Sequence, residues 1–115
     1  MKIFIIFLSL ATLAGCASKR IASPPASNFE KRETVTIYSN CLVPYVQRLD
    51  DGRSDAKTIV QALRAACQKE LRAVYETASR GENNAVKEMM WQRMGSLQDD
   101  LALQVVLKVR HAQTE

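Results

Sequence analysis

Apolar side chains recur at steps of three and four through most of this chain, the spacing that collects them on one face of an α-helix. From Glu33 onward, Tyr38, Cys41, Leu42, Tyr45, Val46 and Leu49 share such a face. Pro44 falls inside the run; it has no backbone donor, so the pattern predicts a kink or a restart there. Asp50-Asp51-Gly52-Arg53 closes the element with turn residues. In the second run Ser54 stands at the capping position, with Asp55 beside the positive end of the helix dipole. Ile59, Leu63, Ala66, Cys67, Leu71, Val74 and Ala78 then form one unbroken stripe, and Gly81 follows where a helix end favours glycine. Asn83 or Asn84 caps a third run to about His111, with Val86, Met90, Met94, Leu97, Leu101 and Val105 on its main face. Its last turns are apolar on more than one side, through Leu103, Val105, Val106, Leu107 and Val109. A lone strand there would have no partner, so helix is the better assignment. The short connections force neighbouring helices alongside one another. The expected fold is all-α, a small antiparallel three-helix bundle over residues 34–115.

The N-terminus follows another pattern. Met1-Lys2 is positive, Ile3 to Leu8 is almost unbroken apolar, and small residues follow. This order of parts is that of a secretory signal. At about 12 residues the apolar stretch falls short of the roughly 20 that span a bilayer as a helix. It ends in Leu13-Ala14-Gly15-Cys16, which resembles the lipobox of bacterial lipoproteins. The resemblance covers the first 16 residues. It implies that residues 1–15 are a signal peptide, that Cys16 receives a diacylglycerol on its sulfur, and that the new amine is acylated after cleavage. Two or three acyl chains make attachment effectively permanent, since one alone binds only marginally. In that family an Asp after the lipidated Cys favours the inner membrane. Here Ala17 and Ser18 follow, which implies an outer-membrane anchor facing the periplasm, in a cell with two membranes.

With Cys16 lipidated, Cys41 and Cys67 form an even pair in an oxidising compartment, which points to a disulfide. Helical spacing places them roughly 13 and 18 Å from the turn they share, close enough to meet in a hairpin with modest tilt. Their separation lacks the CxxC spacing of redox and zinc motifs. Residues 16–33, with Pro24-Pro25 among Ser, Ala and Asn, have the composition of a flexible tether. The chain carries 16 Lys and Arg against 12 Asp and Glu. That excess is small and scattered, which argues against nucleic acid as a partner.

Little in the chain points to catalysis. His111 is the only histidine and lies near the C-terminus, without a nucleophile or second ligand nearby. Asp50-Asp51 fits a turn and Asp99-Asp100 a solvated helix face; neither has the spacing of a calcium loop. No enzyme activity, cofactor or resident metal is expected. The expected role is that of a non-enzymatic accessory factor binding another envelope protein. Small helical lipoproteins that pilot secretion-channel subunits are similar in size, anchor and helix content. Trp91 and the wide apolar end of the third helix, at Leu103, Val106 and Leu107, are the expected docking residues. The alternative is a small-ligand or metal-binding module built on Met89, Met90, Trp91 and Met94, whose thioethers suit copper(I), or on a groove between helices.

Overall fold

A computed structural model describes residues 23–115; the expected signal peptide, the lipobox-like Leu13-Ala14-Gly15-Cys16 and most of the expected tether lie outside the described residues. The described part is all-helical, with α1 at Asn28–Leu49, α2 at Ala56–Leu63, α3 at Gln68–Ser79 and α4 at Asn84–Gln113.

The start of α1 is fixed by reciprocal capping. Ser27 Oγ accepts the Glu30 N–H at 3.2 Å, and Glu30 Oε2 accepts the Ser27 N–H at 2.7 Å, satisfying two donors that a bare helix end would leave open. Composition places residues 28–33 in the tether; the cap instead makes them the first turns of the body. Pro44 neither ends nor restarts the helix, which runs through it for 22 residues. The Pro44 carbonyl remains engaged, accepting from Arg48 Nε at 3.3 Å. Tyr38, Leu42 and Val46, one turn apart, are the fully buried face. After Leu49, Asp51 gathers the turn by accepting from the N–H groups of Arg53 and Ser54 and from the Ser54 hydroxyl. Gly52 takes a left-handed φ of +69° there.

The second run departs from expectation. It forms two helices, not one, and its cap is Asp55, which accepts from the Lys57 N–H at 3.2 Å, while Ser54 belongs to the preceding turn. The apolar stripe is continuous through the break: Ile59, Val60, Leu63, Cys67, Leu71 and Val74 are all buried. What interrupts the backbone is Cys67, the one described non-glycine residue at positive φ, 58°. Its sulfur is bonded to Cys41 at 2.08 Å, the expected disulfide. The Arg64 carbonyl, exposed by the break, accepts the side-chain amides of Gln68 and Gln98. Asn83 caps α4 through the Val86 N–H at 3.0 Å, as expected.

Two ion pairs mark the directions of the helices. Glu30, in the first turn of α1, meets Arg80 just past α3 at 2.9 Å. Asp50, just past α1, meets Arg110 in the last turns of α4 at 2.7 Å. Helices α1 and α4 therefore run the same way, with α2 and α3 returning between them. The shared core draws on all four helices: Tyr38, Leu42 and Val46 from α1, Leu63 and Leu71 from α2 and α3, and Met94, Ala102, Val105 and Val106 from α4.

Tyr38 is fully buried, and its hydroxyl is the one buried side-chain polar atom among the described residues with no partner in hydrogen-bonding geometry. Burial pushes the phenol's pKa up, against a smaller opposite effect of Gln98, whose amide is already given to the Arg64 carbonyl. An unsatisfied buried hydroxyl costs about 1–3 kcal/mol. Tyr38→Phe is therefore expected to leave stability unchanged or raise it by up to about 1 kcal/mol in urea unfolding. A loss of that size would show that the hydroxyl is bonded after all.

Candidate docking surface

The expected docking residues lie on α4, and their exposure follows from how that helix turns against its neighbours. Val106 is fully buried, facing the core with Ala102, Val105 and Val109. It is a packing residue and cannot meet a partner; the apolar breadth of this segment reflects burial between α1 and α2. Leu103 packs half-buried against the core edge. It borders a hollow of about 200 Å³ with Lys57, Val60 and Asp100, beside the Arg64–Asp99 pair, whose two hydrogen bonds measure 3.0 and 2.6 Å. Leu107 points outward and is 52% exposed.

Trp91 is 48% exposed and held on one side. Its ring meets Tyr75 of α3 edge-to-face, with centroids 5.0 Å apart at 71°, and Tyr75 is itself fixed by donating its hydroxyl to the Lys87 carbonyl at 3.1 Å. The outer edge of the indole borders a hollow of about 240 Å³ with Gln68, Leu71 and Arg72. An aromatic ring that is rigid yet half-open combines large contact area with little entropy left to lose, the profile of an interface anchor. Trp91 and Leu107 are not one patch. Sixteen residues of helix separate them by about 24 Å and rotate them roughly 160° apart.

A feature absent from the expected docking set is a groove between α1 and α4. Val43, Val105, Val109 and Ala112 line it together with Asn40, Gln47 and Lys108, enclosing about 400 Å³. Its signal was present in the sequence, since Ser39, Val43 and Gln47 recur every fourth residue on α1, off the main apolar face.

The methionine cluster divides. Met94 is buried in the core, Met90 is half-buried one turn away, and Met89 is exposed on another side. Cys41, Cys67 and Glu70 bring metal-capable atoms within 4.8 Å of one another, but the disulfide uses both sulfurs. His111 is exposed, 3.6 Å from Glu115. Two carboxylates assigned to turn and surface have further roles. Arg110 holds Asp50 below the usual carboxylate pKa, against the opposing effect of burial and with help from the Gly52 N–H. Arg64 lowers Asp99 in the same way.

No described helix is long and apolar enough to cross a membrane. Comparison with protein-family models, with curated proteins and with solved structures returned no match.

Proposed function

We propose that the chain is a small lipoprotein, acylated at Cys16 and held at the periplasmic side of the outer membrane. Its body is a stapled three-rod bundle, in which α2 and α3 together form the middle rod, and it acts by binding another envelope protein rather than by catalysis. The observation that carries this reading is Leu13-Ala14-Gly15-Cys16 at the end of a short apolar run. The Cys41–Cys67 disulfide supports it, because such bonds persist in oxidising compartments. Trp91, braced by Tyr75, is the anchor with which the body docks.

Intact-mass spectrometry of the membrane fraction tests the anchor. A mature chain beginning at Cys16 and carrying acyl groups is expected, and Cys16→Ser should retain its leader and lose the lipid mass. A mature N-terminus elsewhere, without lipid, overturns the reading. A small-ligand role has one observation in its favour, the α1–α4 groove, whose volume of about 400 Å³ falls in the range of ligand pockets. Binding of an apolar fluorescent probe that is lost in Val43→Glu would support that role, and no binding would remove it.

A further inference from the structure

The described chain starts at one pole of the body, and that pole is built. Ser23 and Pro25 lie directly against the turn between α3 and α4. A Cβ at Gly81 would come within 3.0 Å of the Ser23 carbonyl and 3.1 Å of the Pro25 nitrogen. Ala26 is buried, and Glu30 is tied to Arg80 at 2.9 Å. The exit point of the chain is therefore fixed on the body. Only the chain from Cys16 to Ser23 lies between the acylated residue and this point. Covalent geometry limits that separation to about 25 Å.

At the same pole stands Phe29, the most exposed large apolar side chain described, at 75%. It occupies the first turn of α1, two residues past the cap, where nothing in the core calls for an aromatic ring. Lys31 and Arg32 follow it, both exposed and without an ion pair among the described residues. Glu33 and Glu82 are also exposed at this end, so charge alone would not hold it to a surface. On the helix Arg32 and Glu33 neighbour Phe29 while Lys31 lies nearly opposite, so the exposed ring is the group suited to the interfacial layer of a bilayer, with the basic residues of the same turns beside it.

We propose that this pole rests on the lipid surface to which the chain is tethered, with Phe29 in the interfacial layer and Lys31 and Arg32 over anionic headgroups. The proposal depends on the Cys16 anchor, and one labelling experiment separates the two. The chain has three phenylalanines, and two of them, Phe4 and Phe7, fall within the leader. Fluorophenylalanine incorporated into the whole protein therefore gives a single fluorine resonance after processing, from Phe29, with no substitution required. In vesicles of phosphatidylethanolamine and phosphatidylglycerol, headgroup-spin-labelled lipid is expected to raise the relaxation rate of that resonance by about threefold or more, and by less in neutral vesicles. In protein whose intact mass shows acyl groups on Cys16, a single resonance untouched by the labelled lipid overturns the proposal and leaves the anchor standing. Three resonances show an unprocessed leader, and with it both readings fall.

Discussion

Replacing Cys41 and Cys67 together with serine is expected to lower stability by about 2–3 kcal/mol. For a domain of this size that is roughly 10–20 °C in Tm. The loop closed by the disulfide spans a separation of 26 residues, and loss of that constraint in the unfolded chain accounts for about 3.5 kcal/mol in the chain-entropy model. Opposing this is the backbone of Cys67. Left-handed φ costs a residue with a Cβ about 1–2 kcal/mol, and the bond to Cys41 holds Cys67 there. Arg64, Ala65 and Ala66 before it are good helix formers, so the serine variant should close the gap between α2 and α3. Thermal unfolding reads the first effect. Far-ultraviolet circular dichroism reads the second, as helix content that stays level or rises while Tm falls. A Tm within a few degrees of the parent would show that the disulfide follows the fold without supporting it.

The second large effect concerns Arg110. The Asp50 side chain is 1% exposed and accepts from Arg110 Nε at 2.8 Å and Nη2 at 2.7 Å, and from the Gly52 N–H at 3.0 Å. Arg110 also donates to the Ser54 carbonyl at 2.7 Å, so one side chain joins the end of α1, the α1–α2 turn and α4. Arg110→Ala takes two charge-assisted hydrogen bonds from Asp50 and leaves the Ser54 carbonyl without its side-chain donor, so the three segments lose their shared tie. Arg64→Ala breaks a pair that water reaches, and such pairs contribute little. The fall in urea midpoint should be at least about twice as large for Arg110→Ala as for Arg64→Ala. Acid adds a second readout. Asp50, Asp51 and Asp99 are held below their usual pKa, and Glu30 is lowered to about 2, chiefly by Arg80. A depressed folded pKa contributes stability that is fully present above the unfolded value of about 4 and is lost as pH falls through the folded one. The parent should therefore keep its stability from neutral pH down to about 5 and lose it below about 4. In Arg110→Ala the Asp50 pKa rises and the acid transition moves to higher pH. Equal urea midpoints for the two alanine variants would contradict the clasp.

Helix identity was legible because the core is built from a one-sided pattern: Tyr38, Leu42 and Val46, then Leu63, Leu71 and Val74, then Met94 and Val105 are buried where their spacing places them, while Tyr45, Leu49 and Leu97 on the same expected faces lie at the edge and are exposed. The disulfide was legible for the same reason. The break at Cys67 was not, because Arg-Ala-Ala-Cys carries no turn residue and the stripe passes through it unbroken; the left-handed φ falls on the residue cross-linked to Cys41, a partner far away in sequence. The beginning of α1 is legible as well. Ser27-Asn28-Phe29-Glu30 is the capping-box spacing, obscured by the prolines just before it. Val106 was misplaced because breadth of apolarity does not say whether a second helix or solvent faces the extra side; here α2 and α1 flank α4 on both. The roles of Asp50 and Asp99 depend on arginines 60 and 35 positions away, beyond the reach of any local pattern.

The parallel course of α1 and α4 also bears on how the protein can be handled. At 30 residues, α4 climbs about 45 Å from the pole where Ser23 and Pro25 pack. A fluorescent domain fused after Glu115 would ride at the far end of α4 and leave the pole at Ser23 unencumbered for imaging in living cells.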